Sequence, residues 1–337
     1  MTGVGQYRQL VTTATPIGVT FAGFMPLGPQ IALDVAREAE GLGYSSYWTA
    51  ETTGPEAFSL LGGVAGVAPN LDLGTGVLAL QLRTPMVTAM AAATLQAMVP
   101  ERDVLLGIGI SSPVVTQQWH GVPYGDRPLD RVREYVALVR ECLSGESVTF
   151  DGDFYSVKRF RLGIRQGERK PKIVIGALNP GMLALAGEIA DGVLLNYLPA
   201  SHVPWSIEQV RKGGAAEVYA YVHVGVADRE AAVDNARKDL FSYAVVDAYA
   251  RNFTRAGFGD EVAEIRERHA AKDREGALAA VSDRMVDAID VVGDAALVRA
   301  TIDDYVANGV DHPIVMPLPW GENRRQVISD TLVAAAG

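Results

Sequence analysis

The sequence predicts a closed barrel of eight parallel strands surrounded by helices, the (β/α)8 fold, in one domain spanning residues 1–337. Strand-like and helix-like segments alternate along almost the whole chain, which is the order that parallel sheets produce. The strand-like segments are apolar at nearly every position, which indicates burial on both faces of the sheet. Eight such units suit a closed barrel, and an open doubly wound sheet is the alternative.

The first four units each read as a short apolar strand followed by a helix. The predicted strands are residues 16–21, 45–51, 71–80 and 103–110, and the predicted helices are residues 29–43, 58–69, 85–100 and 128–145. In the first helix Ile31, Val35 and Leu42 share one face and a glycine ends the segment, as in an amphipathic helix packed on a sheet. No Gly-x-Gly-x-x-Gly motif separates the first strand from this helix, so the open dinucleotide-binding alternative lacks its usual signal.

The second half of the chain repeats the pattern but carries two longer segments. The predicted strands are residues 171–177, 191–196, 216–227 and 312–317, and the predicted helices are residues 180–190, 203–211 and 294–309. Residues 146–170 read as a hairpin and loop inserted after strand 4, and residues 229–285 read as a mostly helical insertion after strand 7. We expect both insertions to help cover one mouth of the barrel.

The composition excludes several classes of protein. A net charge of −10 and an isoelectric point near 5.1 argue against general binding to nucleic acid or to anionic membranes. Cys142 is the only cysteine, so no intramolecular disulfide can form, which predicts a cytoplasmic location. The five histidines are scattered, without a CxxC or HExxH motif, so we expect no metal site. The first residues, MTGVGQYRQLVTTATP, lack the pattern of a signal peptide, and the most apolar window is too short to span a bilayer.

In a (β/α)8 barrel the active site lies at the carboxyl ends of the strands, which turns the strand assignment into a set of candidates. Glu51, after the second strand, is the best ionisable candidate, because a carboxylate there can bond a ligand's polar edge or relay a proton. A helix-capping or ion-pair role is its structural alternative. Ser112, after the fourth strand, is a candidate hydrogen-bond donor or a turn serine. His120 is more typical of a structural histidine in a loop than of an acid beside a substrate.

Glycines accumulate near the predicted strand ends, at Gly74, Gly76, Gly107, Gly109 and Gly176. Several bare backbones at one mouth can let a flat ligand lie close, whereas relief of crowding in the barrel explains each glycine alone at least as well. The third predicted strand lies in the stretch LGTGVLALQLRTP, residues 73–85. Arg83 follows the end of that strand, where it can meet a ligand.

Six phrases, in order along the chain, resemble the luciferase-like superfamily of flavin and deazaflavin oxidoreductases. They are GLGYSSYWTAE, LGTGVLALQLRTPMVTAMAAATLQ, RDVLLGIGIS, WHGVPYGDRPLDRVREYVALVRECLSGESVTFDGDFY, PKIVIGALNPGMLALAGEIADGVLLN and VVGDAALVRATIDDYVANGVDHPIV. Each phrase alone is a weak signal, and six in the right order over nearly the full length are a strong one. The phrase LGIGIS resembles the branch that uses the deazaflavin coenzyme F-420, whereas the flavin-mononucleotide (FMN) monooxygenases usually carry asparagine there.

The resemblance implies an oxidoreductase that transfers a hydride between coenzyme F-420 and a small organic substrate. Deazaflavin has carbon in place of the reactive nitrogen of flavin, so it carries a hydride, and the protein orients and shields it. An FMN-dependent luciferase-like monooxygenase and a non-catalytic deazaflavin-binding protein are the alternatives. The resemblance also implies a homodimer formed by barrel helices, with the alanine-rich helix at residues 86–98 as one surface.

The family's cofactor site can be carried over residue by residue. Its third strand often ends in a non-proline cis peptide behind the central ring, which by position is Gly76–Val77 here. Gly109 and Ser111, at the end of the fourth strand, are carried over as further cofactor contacts. The residues that fall on the family's phosphate pocket are Gly176, Ala177, Leu178, Asn179 and Asn196. A helix begins directly after the first four of these, and its free N–H groups suit an anion, although an ordinary strand-to-helix turn is the alternative.

Three positions depart from the F-420-dependent sugar-phosphate dehydrogenases of this superfamily. Their histidine after the second-strand acid is Thr52 here, their glutamate after the fourth-strand glycines is Ser112, and a first-strand glutamate is Ala22. These departures argue against sugar-phosphate oxidation and favour reduction or an unlike substrate. Methylenetetrahydromethanopterin reductases are a possible comparison, although no motif specifies pterin binding.

The segment KRFRLGIRQGERKPK, residues 158–172, carries seven Lys or Arg and one Glu within an acidic chain. We call it the basic loop. Coenzyme F-420 has a phosphate and a polyglutamate tail, so we expect this loop to steer or hold that tail. A solvated surface loop is the alternative.

Overall fold

The computed structural model describes residues 15–337 and shows the predicted closed barrel of eight parallel strands. In chain order the strands are β1 (Gly18–Thr20), β2 (Ser46–Thr49), β3 (Asp72–Thr75), β4 (Leu78–Ala79), β5 (Val104–Gly109), β6 (Val148–Asp151), β7 (Ser156–Phe160), β8 (Lys172–Gly176), β9 (Gly192–Leu195), β10 (Glu217–Val226), β11 (Val291–Gly293) and β12 (His312–Pro317). The prediction that the chain starts without a signal peptide concerns mainly residues 1–14, which lie outside the described residues.

The barrel closes through parallel pairing in the order β12, β1, β2, β3, β5, β8, β9 and β10, with β10 returning to β12. Strand β4 continues the line of β3 and pairs with β5, so these two short strands make one barrel strand. Gly176 lies opposite Leu194, so β8 and β9 end side by side. Outside the barrel, β6 and β7 form an antiparallel hairpin within the predicted insertion at residues 146–170.

Thirteen α-helices lie within residues 15–337, most of them around the outside of the barrel. They are α1 (Pro29–Gly41), α2 (Ala57–Val67), α3 (Pro85–Met98), α4 (Pro128–Leu143), α5 (Pro180–Ile189), α6 (Val203–Arg211), α7 (Arg229–Ala244), α8 (Asp247–Phe253), α9 (Gly259–Ala270), α10 (Arg274–Ala279), α11 (Asp283–Ile289), α12 (Ala295–Ala307) and α13 (Arg324–Ala336). Proline begins α1, α3, α4 and α5, because its fixed φ and missing N–H suit the first turn of a helix. The sequence prediction stops at the last strand and misses α13, whose Ile328 and Leu332 are buried.

The inside of the barrel holds an apolar cluster of its own. Trp48, Tyr219 and Tyr221 are its aromatic members and are almost fully buried. Its aliphatic members are Leu105, Val174, Leu194, Ile314 and Met316. Ala22 and Val77 are partly buried and pack against this cluster. The interior is therefore a packed core, and a ligand has to bind at the mouth of the barrel.

Helices α7 to α11 follow β10 and have a second apolar cluster, which includes Phe253, Ile265 and Met285. Tyr197, from the loop after β9, belongs to the same cluster. This contact joins the helical insertion to the carboxyl end of the barrel. No helix in the described part of the chain is long and apolar enough to cross a membrane.

Candidate functional site

The peptide bond between Gly76 and Val77 is cis, as the resemblance predicts, and it separates β3 from β4. The Tyr221 hydroxyl, inside the barrel, donates a hydrogen bond of 3.0 Å to the Gly76 carbonyl oxygen. The Thr20 hydroxyl in turn donates to the Tyr221 oxygen over 3.2 Å. Because both hydroxyls are buried, side chains of β10 and β1 hold the Gly76 backbone from the barrel interior.

Val77 occupies the space that glycines at the neighbouring strand ends leave open. A Cβ on Gly109 would lie 2.6 Å from Val77 Cγ2, and a Cβ on Gly176 would lie 3.1 Å from Val77 Cγ1. A Cβ on Gly107 would overlap the Thr75 carbonyl oxygen. These glycines therefore relieve crowding around the Gly76–Val77 peptide. Relief of crowding is the explanation that the sequence analysis offered as the alternative to close approach of a flat ligand. The partly exposed Val77 side chain, rather than bare backbone, covers this part of the barrel end.

Glu51 and Arg83 form a bidentate ion pair at the ends of β2 and β4. Arg83 Nε donates to Glu51 Oε2 over 2.9 Å, and Arg83 Nη2 donates to Oε1 over 2.8 Å. Oε1 also accepts the backbone N–H of Ala57 at the start of α2, and Glu56 contacts the same guanidinium. The hydrogen bond with Glu51 raises the pKa of Arg83 above its ordinary value. Glu51 thus makes the capping and ion-pair contacts of its structural alternative, with its side chain only 13% exposed.

The loop after β5 carries the two predicted serines, both partly exposed. Ser112 Oγ accepts the backbone N–H of Val115 over 3.3 Å and so caps the helical turn that follows. The hydroxyl proton of Ser112 is left to donate. His120 Nε2 lies 2.6 Å from the Thr52 carbonyl oxygen, which joins this loop to the loop after β2. This contact gives His120 the structural role that the sequence favours for it.

The predicted phosphate segment lies where β8 ends and α5 begins, beside the end of β9. Gly176, Leu178 and Asn179 are partly exposed there, whereas Ala177 is buried and its N–H donates to the Leu194 carbonyl over 3.1 Å. Asn179 makes no capping bond to α5. Within residues 15–337 the first N–H groups of α5 therefore have no side-chain partner and are available to an acceptor.

Arg255 of the helical insertion contacts this segment, and Arg251 lies close enough to Arg255 for its charge to act on that residue. The sequence analysis selected neither arginine. Arg255 Nη1 donates to Asn179 Oδ1 over 2.7 Å, and the guanidinium lies 5.7 Å from the Trp205 ring centroid. Partial burial and the nearby charge of Arg251 lower the pKa of Arg255. Within residues 15–337 neither arginine forms an ion pair with a carboxylate. Two cations without an acidic partner, close to the start of a helix, suit an anionic group.

The basic loop contacts the opposite end of the barrel. Arg169 donates to Asp103 Oδ1 over 2.6 Å, and Lys172 Nζ lies 2.6 Å from Asp103 Oδ2. Asp103 directly precedes β5 and Lys172 begins β8, so both contacts lie at the amino ends of strands. The expectation that this loop holds the tail of a ligand is wrong for Arg169 and Lys172. Their charges are already paired, at the end of the barrel away from the predicted site.

Asn196, directly after β9, contacts a buried polar cluster that the sequence analysis also missed. His223, on β10, lies between Asn196 and Asp290: its Nε2 is 2.8 Å from Asn196 Oδ1 and its Nδ1 is 2.9 Å from Asp290 Oδ1. Asp239, on α7, accepts the Tyr197 hydroxyl over 2.8 Å. A ring nitrogen of His223 and one carboxyl oxygen each of Asp239 and Asp290 lie within 4.8 Å of one another. The only signal in the sequence is a histidine inside an apolar strand, YAYVHVGV.

Burial changes the protonation of this cluster. It lowers the pKa of His223 to about 4, so the imidazole is neutral near neutral pH. It raises the pKa of Asp239 to about 7 and raises the pKa of Asp290 well above its ordinary value. The physical cause is that charge is unfavourable where water is excluded, and two neighbouring carboxyl groups add to this effect.

The arrangement defines a class of protein before any relative is considered. A packed (β/α)8 barrel, with polar and charged side chains gathered at the carboxyl ends of its strands, is the architecture of an enzyme whose ligand binds at that mouth. The sequence model of the luciferase-like monooxygenase family matches residues 16–312, and the chain belongs to this family.

Two curated relatives and one solved structure are similar along most of the chain. A Mycobacterium tuberculosis protein named as a coenzyme F-420-dependent oxidoreductase is 29% identical over 320 residues, covering 85% of this chain and 90% of the relative. The 5,10-methylenetetrahydromethanopterin reductase of Methanolobus tindarius is 27% identical over 317 residues, covering 90% and 95%. The solved structure of an F-420-dependent secondary alcohol dehydrogenase, in complex with an F-420–acetone adduct, has a TM-score of 0.75 at 18% identity and covers 96% and 99%. The last similarity concerns the fold.

Proposed function

We propose that this protein is an oxidoreductase that transfers a hydride between coenzyme F-420 and a small organic substrate. The observation that carries the proposal is the mycobacterial relative, which is named for coenzyme F-420 and is similar over 85% of this chain. The position of Val77 between β3 and β4 supports it, because this is where the resemblance puts the back wall of the deazaflavin site. The missing acid–base residues of the sugar-phosphate dehydrogenases favour another substrate, with reduction as the expected direction.

The residues at the carboxyl end suit such a coenzyme. When bound, deazaflavin supplies the carbon that accepts or gives a hydride, and the protein's part is to bind, orient and shield it. We place the ring against Val77, with Gly76, Gly109 and Ser111 beside it. We place the phosphate at the ends of β8 and β9, on Gly176, Ala177, Leu178, Asn179 and Asn196. The unpaired charges of Arg251 and Arg255 support this placement, because an anionic group near them would be stabilised.

We place the reacting part of the substrate near Glu51 and Ser112. The Ser112 hydroxyl can donate a hydrogen bond to a ring or a substrate oxygen, because its oxygen alone is used by the loop. Both oxygens of Glu51 accept hydrogen bonds from Arg83, so its part is to hold that guanidinium beside the ligand's polar edge.

Titration of the protein with oxidised coenzyme F-420 and, separately, with FMN tests the cofactor. We expect binding of F-420 in the micromolar range, seen as a change in its fluorescence, and no comparable binding of FMN. Micromolar binding of FMN without binding of F-420 would make the protein an FMN-dependent monooxygenase of this family and overturn the proposal.

Turnover separates an enzyme from a non-catalytic deazaflavin-binding protein. Reduced F-420 is mixed with the protein and a panel of carbonyl, imine and enone acceptors, and the recovery of oxidised F-420 is followed by absorbance. We expect at least one acceptor to be reduced faster than in a control without protein. Tight F-420 binding without turnover of any acceptor would favour the binding protein.

We also propose a cytoplasmic homodimer, formed through α3. Val87, Met90 and Met98 on α3 are 46%, 50% and 56% exposed, and the helix carries no charged residue. A row of exposed apolar side chains is typical of a contact surface. Sedimentation should give a dimer for the wild type and a monomer for Met90→Glu. Val333→Glu, which changes an equally exposed apolar residue on α13, is the matched control and should stay dimeric.

A further inference from the structure

The amide of Asn196 has a fixed orientation. Its Oδ1 accepts the backbone N–H of Tyr197 over 2.9 Å, and since a backbone N–H can only donate, this bond identifies the amide oxygen. The same oxygen lies 2.8 Å from His223 Nε2, so Nε2 carries a proton and donates it. Within residues 15–337 the Asn196 Nδ2 group has no hydrogen-bond partner, and the side chain is partly exposed. Two N–H donors are therefore available at the end of β9.

Because Nε2 carries a proton, Nδ1 carries one only if the imidazole is positively charged. His223 and Asp290 are 1% and 0% exposed, which disfavours charge on either, and the ring is neutral with a bare Nδ1. Asp290 Oδ1 lies 2.9 Å from that Nδ1, so the bond between them requires a proton on the carboxyl group. The Asp290 carboxyl group therefore donates a hydrogen bond to His223 Nδ1, and His223 Nε2–H donates one to Asn196 Oδ1.

The surroundings of this pair agree with a neutral arrangement. Asp239 is the neighbouring carboxyl group, and Tyr197 donates its hydroxyl proton to it. Within the described residues no Lys or Arg forms an ion pair with Asp239 or Asp290. Two ionised carboxylates at this spacing, buried and without a cation, would repel each other strongly, whereas a protonated Asp290 removes most of the repulsion.

We propose that His223 and Asp290 are positioning residues that hold the Asn196 amide with its Nδ2–H group directed to the phosphate of the bound coenzyme. This inference rests on the proposed function and deepens it. Asn196 follows β9 beside the end of β8, where the helix α5 begins and Arg255 contacts Asn179. Without His223 the amide oxygen keeps only the bond from the Tyr197 N–H, so the Nδ2–H group is held less firmly toward the phosphate.

Binding measurements with three variants test the arrangement. We expect His223→Leu and Asp290→Leu to weaken binding of coenzyme F-420 about tenfold each, because the donors are no longer held in place. Asp290→Asn should bind within about twofold of the wild type, because its amide N–H donates to Nδ1 as the protonated carboxyl does. His269→Leu, which changes an exposed histidine on α9, is the matched control and should bind as the wild type does. An Asp290→Asn protein as weak as Asp290→Leu would overturn the protonation assigned here.

Titration with a second ligand tests whether the loss of affinity comes from the phosphate or from the rest of the coenzyme. The probe is the deazaflavin nucleoside without phosphate or glutamate tail, titrated in the same way. Its affinity should be equal in the wild type and in all three variants. An equal loss of affinity for the nucleoside and for coenzyme F-420 would overturn the assignment of the Asn196 donors to the phosphate.

Nitrogen NMR of histidine-labelled wild-type protein tests the protonation of the imidazole directly, and a variant serves only to assign the signals. The expected signals for His223 at neutral pH are a protonated Nε2 and an unprotonated Nδ1, assigned by their absence from His223→Gln. A doubly protonated ring would overturn the proposal. This measurement needs no coenzyme, so its failure is distinct from that of the proposed function, which would appear as wild-type protein that does not bind F-420.

Discussion

Two groups of basic residues, those of the basic loop and the pair Arg251 and Arg255 of the helical insertion, differ in what surrounds their charge. The basic loop has the higher density of Lys and Arg, yet Arg169 and Lys172 are paired with Asp103 at the amino ends of the strands. The helical insertion contributes only Arg251 and Arg255 near the end of β8, and neither forms an ion pair in the described part of the chain. A cation already paired with a carboxylate offers little to a ligand, whereas an unpaired cation near a helix start does.

The comparison shows that charge density along a sequence is a poor guide to which charges remain unpaired in the described part of the fold. Seven basic residues in fifteen form a conspicuous segment, but their position relative to the barrel and their partners decide their role. Arg255 stands alone in the sequence and is brought to Asn179 by the packing of the insertion.

Arg255→Glu should give the largest effect. Replacing an unpaired cation by an anion beside the proposed phosphate position should weaken binding of coenzyme F-420 about 30-fold, or about 2 kcal/mol. The loss should shrink as salt is added, because salt screens partly exposed charges. Arg255→Gln keeps a donor for Asn179 and removes the charge, so its affinity for F-420 should lie between those of the wild type and Arg255→Glu. Fluorescence titrations at low and high ionic strength measure this, and a loss independent of salt would contradict a charge effect.

Arg251→Glu should have a smaller effect of the same kind. The residue is exposed and its charge acts on Arg255 through space, so we expect a loss of F-420 affinity of about fivefold at low salt. Combining it with Arg255→Glu should show less than the sum of the two effects, because the two sites interact. Strict additivity would indicate that the two arginines act on separate parts of the ligand.

Charge reversal of the basic loop should leave binding unchanged. Arg165→Glu and Arg169→Glu, together, make the same kind of change as Arg255→Glu but in the basic loop, whose Arg169 is paired with Asp103 at the amino ends of the strands. We expect the affinity for F-420 to remain within about twofold of the wild type at every ionic strength. A salt-dependent loss as large as that of Arg255→Glu would restore the loop as the binding region and remove the contrast between the two regions.

Asp103→Asn should affect stability and not binding. Burial raises the pKa of Asp103, but hydrogen bonds from Lys172 and Arg169 outweigh it, so its pKa lies below the ordinary value. The pairing therefore stabilises the fold above the pKa of the unfolded carboxyl, about 3.9, and the stabilisation is lost as the pH falls through the lower folded pKa. Because the group is partly exposed, we expect a loss of only about 0.5 kcal/mol at neutral pH. Urea unfolding of both proteins at neutral and acid pH measures it, and the difference should vanish in acid.

Much of the fold could be predicted because its signals are local. Apolar runs bounded by glycine, proline and charge gave all eight barrel strands and most helices within a few residues of their observed ends. The third strand is broken at the cis peptide, although the sequence reads as one run from residue 71 to residue 80. The helix α13 was missed, and its polar start, ENRRQ, gives little apolar periodicity to find.

The candidate site could be predicted only in part. The strand ends located Gly76–Val77, Glu51 and Ser112, because every parallel strand of a barrel ends on the same side. The same reasoning could not find Arg255, since it lies 76 residues from Asn179 along the chain. It also could not find Asp290, which lies 67 residues from His223 and has no neighbour in sequence that marks it as polar and buried.

Local patterns along the chain predicted the barrel, the strand ends that line its mouth, and the glycines that surround the cis peptide. These follow from patterns of burial and backbone freedom that each short segment carries. The pairing of charges in the described residues and the contacts of Asn196 with His223 and Tyr197 depend on how distant segments pack together. The physical reason is that the energy of a charge depends on its partners and on the water around it, and packing brings those partners from distant parts of the chain.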